Sequence, residues 1–420
     1  MKNTNNKKTP KNASTLLVVK IGGSSLQGAE KIKSAAQLVK TGIKNGTKLL
    51  VVTSAMGKTT DDLMQLVEET HPNGENGNKE NIDDILAMGE RTSIRIFCSV
   101  LQSLGVKAHY LDIEKNNWPI ITDNAHGNAK ILAEETKKRA VRLAEAFAEA
   151  DALIVPGFIG KTLSGKITTI GRGGSDSTAF VLADALGAKE IILISDIDGI
   201  RTSDPKRIAG TQKIDKIDAL KLAGMSDSGR KFIHKKALYY KPAGIDVKMI
   251  SNKSASLDAQ GTVITNTFPE LDVEINLHKA QSLTIMGNSL PSSHEFMADL
   301  ISYIAKEKVA LLGMTTDSES VVLYFPAENF MPVAQSIHDI IIRHKEAIAM
   351  AVREELAIIK TNGIGLQETP GSLALISGTL SKNGINIYGF YNTMSEIFLV
   401  VEWEKREEAQ RLIKGAFEAD

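Results

Sequence analysis

At 420 residues, 42% of them hydrophobic and 24% charged, the chain is too long for one small core and predicts two or three globular domains. Its 50 Lys and Arg balance 50 Asp and Glu, which argues against the cationic surface that nucleic-acid phosphates require, and no apolar run is long enough to span a bilayer. A single cysteine, Cys98, permits no intrachain disulfide, suits a reducing cytoplasm and reads as a small buried hydrophobe.

Residues 1–14, rich in Asn, Lys and Thr and without an apolar stretch, are expected to form a disordered tail rather than a secretory signal. From Leu16 to about Val263, short apolar β-branched runs alternate with amphipathic segments. Strands are predicted at Leu16–Ile21, Lys48–Thr53, Ala152–Pro156 and Ile191–Ser195. Helices are predicted at Ala29–Lys44, Asp61–Thr70, Ile82–Leu104 and Ala129–Ala150, with polar loops at 71–81 and 161–166. The alternation predicts an α/β domain around a mainly parallel sheet. After Thr265 two segments each read strand, helix, strand, strand, helix. They predict two small α+β modules for regulation, pairing or packing, since neither concentrates catalytic residue types.

Chemistry collects in the loops that follow the strands. Thr169–Ala179 (TIGRGGSDSTA) places three glycines, Arg172, Asp176 and hydroxyl residues before an apolar helical run. Glycines allow close backbone approach, a helix start presents N–H groups to an anion, and an arginine fork suits a carboxylate or phosphate. Lys20-Ile21-Gly22-Gly23-Ser24-Ser25 follows the first strand but lacks the GxxxxGK[ST] spacing of a P-loop. Thr53–Thr60 offers donors for a carboxylate but reads by default as helix caps, and Met88–Arg91 opens or interrupts a helix on which Glu90 reads by default as a solvated face, although it could face a ligand ammonium. Ser195, Asp196 and the Asp204-Pro205-Lys206 turn end the fourth strand, where open α/β sheets bind ligands. The cluster Arg230-Lys231-His234-Lys235-Lys236 supplies either a phosphate lysine or a basic surface. No Ser-His-Asp ordering, metal-ligand spacing or GxGxxG is present. The set fits phosphoryl transfer to a small anionic acceptor, in which positioning and charge neutralisation do most of the work.

These motifs resemble the aspartate kinases of the amino-acid kinase family over nearly the whole chain. Lys20–Ser25 is similar to the family's KFGGTS, Ser54–Gly57 to SAMG, and Gly89-Glu90-Arg91 to GER. Ile121–Asp123 with Gly127–Ala129 resembles ITD…GNA, Gly157–Gly160 matches GFIG, Thr168–Ala179 is similar to TTLGRGGSDxTA, and Asp196–Pro205 to TDVDGVYTADP. The C-terminal pair resembles tandem ACT domains, on Glu368-Thr369-Pro370-Gly371 and Gly384-Ile385-Asn386-Ile387.

The resemblance implies an amino-acid-kinase fold over 15–268, followed by ACT-like, ferredoxin-like modules at 272–346 and 347–420. It implies a cytoplasmic enzyme that transfers the ATP γ-phosphoryl group, with Mg²⁺, to the β-carboxylate of L-aspartate, the first step of lysine, threonine and methionine synthesis. By the same resemblance Lys20 and Lys231 neutralise the transferred group, Gly22 and Gly23 offer backbone donors, and Arg172 binds the α-carboxylate. Ser54 and Thr60 assist, Glu90 pairs with the α-ammonium, Ser175 and Asp176 orient substrate and lysine, and Ser195, Asp196 and Lys206 line the nucleotide side. No metal is held by the protein itself. A homodimer through the ACT modules is expected, with threonine or lysine as effector. The first module departs from the pattern at Pro291–His294 and at Leu312, where many members carry Asp or Asn. The alternatives are a kinase for acetylglutamate or glutamate, and a catalytically silent amino-acid sensor.

Overall fold

The computed structural model describes residues 15–44, 46–70, 78–205, 207–226, 232–268, 271–328, 330–363, 366, 370–393 and 396–418. The N-terminal tail, Lys206, Lys231 and the Glu368-Thr369 pair lie outside them. Two compact units divide the chain, residues 1–268 and 269–420.

The first unit opens with β1 (Thr15–Ile21), α1 (Ala29–Lys40), β2 (Thr47–Thr53), α2 (Thr59–Thr70), α3 (Lys79–Ser103) and β3 (Ala108–Tyr110). A middle portion follows as β4 (Ile121–Thr122), α4 (Ala133–Ala140), α5 (Leu143–Glu149), β5 (Ala152–Pro156), β6 (Ile159–Thr162), β7 (Ile167–Thr169) and α6 (Gly174–Leu186). It closes with β8 (Glu190–Ser195), β9 (Lys216–Asp218), α7 (Ala219–Ser226), α8 (Lys235–Tyr239), β10 (Val247–Ser251) and β11 (Thr262–Thr265). The main sheet has the order β3-β5-β2-β1-β8-β10-β11-β9 and is parallel except at β10–β11.

Side chains on successive strand residues point to opposite faces. Val18, Leu50 and Val52 therefore pack with Phe180 of α6 and Leu238 of α8, while Val19, Ile21, Leu49 and Val51 pack with Phe97 and Leu101 of α3. Burial on both faces is why these strands read as unbroken apolar runs. The same alternation puts Lys20 on the Val18 face, under α6. Strand order reverses between β1, whose successors β2 and β5 lie on one side, and β8, whose partner β10 lies on the other. That reversal opens a crevice at the carboxyl ends of β1 and β8.

Local differences from the sequence reading have visible causes. The helix expected over 129–150 is two, α4 and α5, because the backbone of 129–132 is drawn into a small sheet. Ala129 N–H donates to Thr169 O at 2.9 Å, Leu132 N–H to Ile121 O at 2.8 Å, and Ile131 bridges Thr122. The polar loop 161–166 is a β6–β7 hairpin turning at Gly165, whose φ is +91°. Helix α1 stops at Lys40 rather than Lys44, with the Thr41 hydroxyl donating to Leu38 O at 2.6 Å. Helix α3 runs uninterrupted through Gly89, where an added Cβ would sit 3.0 Å from the Ala55 methyl.

The second unit comprises β12 (Leu271–Ile275), β13 (Ala280–Gly287), α9 (His294–Lys306), β14 (Gly313–Thr316), β15 (Ser320–Pro326), α10 (Phe330–Arg343), β16 (Ala347–Gly363), α11 (Ser372–Lys382), β17 (Gly389–Thr393), β18 (Glu396–Glu402) and α12 (Arg406–Glu418). Its sheet is ordered β14-β15-β13-β16-β18-β17, with β12 also on β16. The 17-residue β16 serves both modules: Ala347–Leu356 pairs with β13, and Leu356–Asn362 with β18. The first module thus takes its fourth strand from the start of β16, and the second takes its own from β12, which precedes the first module. The two are interleaved rather than consecutive. Separate cores lie beneath their helices, around Phe296, Leu300 and Ile337 in one and Ile376, Leu380 and Ile413 in the other.

Candidate active site

A cavity of about 670 Å³ opens where the loops after β1 and β2 meet the start of α6 and one face of α3. Lys20, Ser54, Thr60, Glu90, Arg172, Ser175 and Asp176 all line it. These residues span more than 150 positions of sequence, and parallel strands ending on one rim bring them together.

The Gly-rich turn fits because glycine occupies the tight positions. Gly171 and Gly173 have φ of +80° and +77°, a region costly for residues with a Cβ. A Cβ on Gly157 would lie 2.6 Å from the Ser175 Cβ, so its absence lets the start of α6 settle against the end of β5. Phe158, at the cavity wall, is held at φ +67°, one of the strained backbone positions that cluster at functional sites.

Lys20 Nζ and Asp176 Oδ1 form an ion pair of 2.7 Å, both side chains mostly buried. Ser54 Oγ donates to Ser175 Oγ at 3.0 Å. Arg172 is exposed to the cavity and meets no carboxylate among the described residues. Across the lining, Glu90 is only 3% exposed. Its Oε1 accepts the Ala55 N–H at 3.1 Å, and its Oε2 is buried without a partner among the described residues. Burial pushes its carboxyl up from 4.5 to about 8, against the Ala55 N–H, which favours the carboxylate. The cavity therefore offers an available guanidinium for an anion and a buried acid awaiting a cation.

Other expected residues fall differently. The Gly22 N–H, expected to face an anion, donates instead to Ile194 O at 3.3 Å, because β1 and β8 remain paired to their ends. Gly23 is compressed against the next loop, where a Cβ would come 2.6 Å from Ala55 O. Ser195 and Asp196 end β8 on the same rim, linked by a 3.3 Å hydrogen bond, outside the cavity lining. Arg91 faces away from the cavity and anchors α3 to Asp112 and Glu114.

Several lining or supporting groups were not singled out by motif. Asp83, 1% exposed, accepts from the Gly127 N–H at 3.1 Å, from the Thr169 hydroxyl at 2.5 Å, and pairs with His126 Nδ1 at 2.7 Å. Its signal was an acid in line with the buried stripe of α3, with the apolar Leu86, Ala87 and Ile94 three, four and eleven residues on. Lys236, read as part of a basic cluster, points inward. Its Nζ donates to Asn128 O, Asn128 Oδ1, Ala129 O and Ile170 O at 2.5–3.2 Å. Burial pushes this ammonium down to about 8, opposed by Asp123.

The amino acid kinase family profile matches residues 15–251, more than half the chain. The chain belongs to the amino acid kinase family. As an amino acid kinase it is a phosphotransferase that draws on ATP. It is similar to an aspartokinase of Thermus thermophilus, with 29% identity covering 96% of this chain and 99% of that protein. Among solved structures it resembles the aspartate kinase of Synechocystis (24% identity, TM-score 0.79, 96% of this chain and 70% of that one). It also resembles E. coli aspartokinase III in complex with aspartate and ADP (22% identity, TM-score 0.55, 96% and 99%). Those two likenesses establish the fold over both units of this amino acid kinase. Among the described residues no helix is long and apolar enough to cross a membrane.

Proposed function

We infer that the chain is an aspartate kinase. A β-carboxylate oxygen of L-aspartate attacks the γ-phosphorus of ATP, the bond to the ADP oxygen breaks, and 4-phospho-L-aspartate and ADP leave. The acceptor carboxylate, with a reference pKa of about 3.9, is already ionised at neutral pH, so no general base is required. What the site must supply is position and positive charge.

The observation that carries this reading is the complementary pair in one cavity: the available Arg172 guanidinium and the buried, half-partnered Glu90 carboxyl. Together they suit an α-carboxylate and an α-ammonium. An N-acetylated acceptor would leave Glu90 buried without a cation, which favours a free amino acid over acetylglutamate. Lys20, held by Asp176, neutralises charge on the transferred phosphoryl group, and Lys231 joins it by the resemblance. Ser54 donates to and orients Ser175, which with Thr60 donates to the substrate carboxylates. Gly23 carries the backbone donation that the engaged Gly22 amide does not. Ser195, Asp196 and Lys206 border the nucleotide.

Among the described residues no cluster of three His, Cys, Asp or Glu side chains could hold a metal. In this reading Mg²⁺ comes bound to the ATP phosphates. The interleaved C-terminal modules serve as the regulatory half, pairing two copies of the chain and binding an amino-acid effector such as threonine or lysine. The reaction stands at the first step of lysine, threonine and methionine synthesis. An ATP-dependent hydroxamate assay with aspartate, glutamate and acetylglutamate tests the assignment. Turnover confined to aspartate supports it, and greater turnover with either other acceptor, or none with aspartate, refutes it.

A further inference from the structure

Arg172 has no side-chain partner among the described residues, so its placement depends on the backbone that carries it. That backbone is a four-residue turn, Ile170–Gly173, lying against the loop 126–129. Two charged side chains from opposite directions grip both segments. Asp83 of α3 takes the donors: Gly127 N–H and His126 Nδ1 from the loop, and the Thr169 hydroxyl from the strand end beside the turn. Lys236 of α8 takes the carbonyls: Asn128 O and Ala129 O from the loop, and Ile170 O from the turn.

Both glycines that flank Arg172 pack against this arrangement, Gly171 on the gripped loop and Gly173 on α8, which carries Lys236. A Cβ on Gly171 would lie 2.8 Å from Asn128 Oδ1, an atom Lys236 holds at 2.7 Å. One on Gly173 would lie 2.6 Å from the Cβ of His234, which caps α8. Four oxygens converge on three ammonium hydrogens, so the lysine is saturated and has no capacity left for a ligand.

We propose that Asp83 and Lys236 are positioning residues that clamp the Ile170–Gly173 turn to the 126–129 loop and thereby set the affinity of Arg172 for the substrate carboxylate. Neither touches the reacting atoms: Lys20 reaches the cavity from β1, and Asp176 from the first turn of α6, where it is held by its own pair with Lys20. The clamp therefore governs binding of the carboxylate substrate rather than the phosphoryl-transfer step. The identity of that substrate rests on the aspartate kinase reading; the clamp itself does not.

The test uses the full chain with Lys236→Met, and Asp83→Asn as a second variant. The aspartate KM is expected to rise about tenfold in each, with kcat and the ATP KM within twofold of the parent. Amide hydrogen exchange over 168–175 is expected to quicken about tenfold, without a matching change in β1 or β8. Exchange unchanged in Lys236→Met overturns the clamp whatever the acceptor. An aspartate KM within twofold of the parent, or equal losses in kcat and both KM values, overturns its role in affinity. A parent enzyme inactive with aspartate but active with another acceptor refutes the aspartate kinase reading alone, and the exchange result still decides the clamp.

Discussion

Glu90 makes the sharpest prediction because its carboxyl is nearly sealed from water and titrates at about 8. The unfolded chain ionises it near 4.5. The folded state therefore holds a proton that the unfolded state has lost at intermediate pH. Glu90's contribution is fully present below pH 4.5 and is lost as pH rises through 8. With 1.36 kcal/mol per pH unit, the loss relative to acid is about 3 kcal/mol at pH 7 and about 5 kcal/mol at pH 9. An α-ammonium docking against Oε2 requires the ionised form, so binding aspartate at pH 7 should release close to one proton. Its affinity should tighten about fivefold between pH 7 and pH 8, as the unliganded carboxyl ceases to need deprotonation. Titration calorimetry in two buffers of different ionisation enthalpy measures the released proton directly. Glu90→Gln should bind aspartate at least tenfold more weakly, release no proton and lose the pH dependence in that window. Equal heats in both buffers, or wild-type affinity in Glu90→Gln, would refute the argument.

Arg172→Lys should raise the aspartate KM more than tenfold and leave the ATP KM unchanged, since a point charge does not reproduce a bidentate fork; steady-state kinetics with each substrate varied decides it. Lys20→Met should lower kcat by about 10²–10³ with little change in aspartate KM, because its charge acts on the transferred phosphoryl group; an unchanged kcat counts against that role. Gly157→Ala should cost about 1–3 kcal/mol, because the new Cβ meets both the Cα and the Cβ of Ser175 and helix α6 must shift. The expected fall in melting temperature is several degrees, read by differential scanning calorimetry alongside a raised aspartate KM.

Much of the kinase unit is readable in one dimension. The runs at Leu16–Ile21 and Lys48–Thr53 are apolar throughout because both of their faces are covered, and a parallel buried sheet follows from that. The turn around Arg172 is readable for a similar reason, since positive φ at Gly171 and Gly173 demands glycine and leaves a visible signature. The single helix expected over 129–150 is a different matter. Local periodicity favours it, but the backbone of 129–132 bonds to β4 and the end of β7, elements about 10 and 40 residues away. Lys236 is misleading in the same sense. In sequence it belongs to a basic surface cluster, and only the fold turns it toward four oxygens.

Residue types and their order were enough to determine an α/β unit with a mainly parallel sheet, a glycine-dependent turn around Arg172 and a second unit of repeated α+β pattern. Those properties depend on local periodicity and on glycine's backbone freedom, both of which are written in neighbouring residues, whereas the kinase motifs are legible only by their resemblance to a family. Tertiary structure decided that Glu90 is buried, which pushes its carboxyl up, rather than solvated, that Lys20 is held by Asp176, and that β16 serves two modules at once. It also decided that Asp83 and Lys236 close on the same loop. Each of these depends on desolvation or pairing between segments far apart in the chain, and burial by a distant segment leaves no mark on the residues beside it.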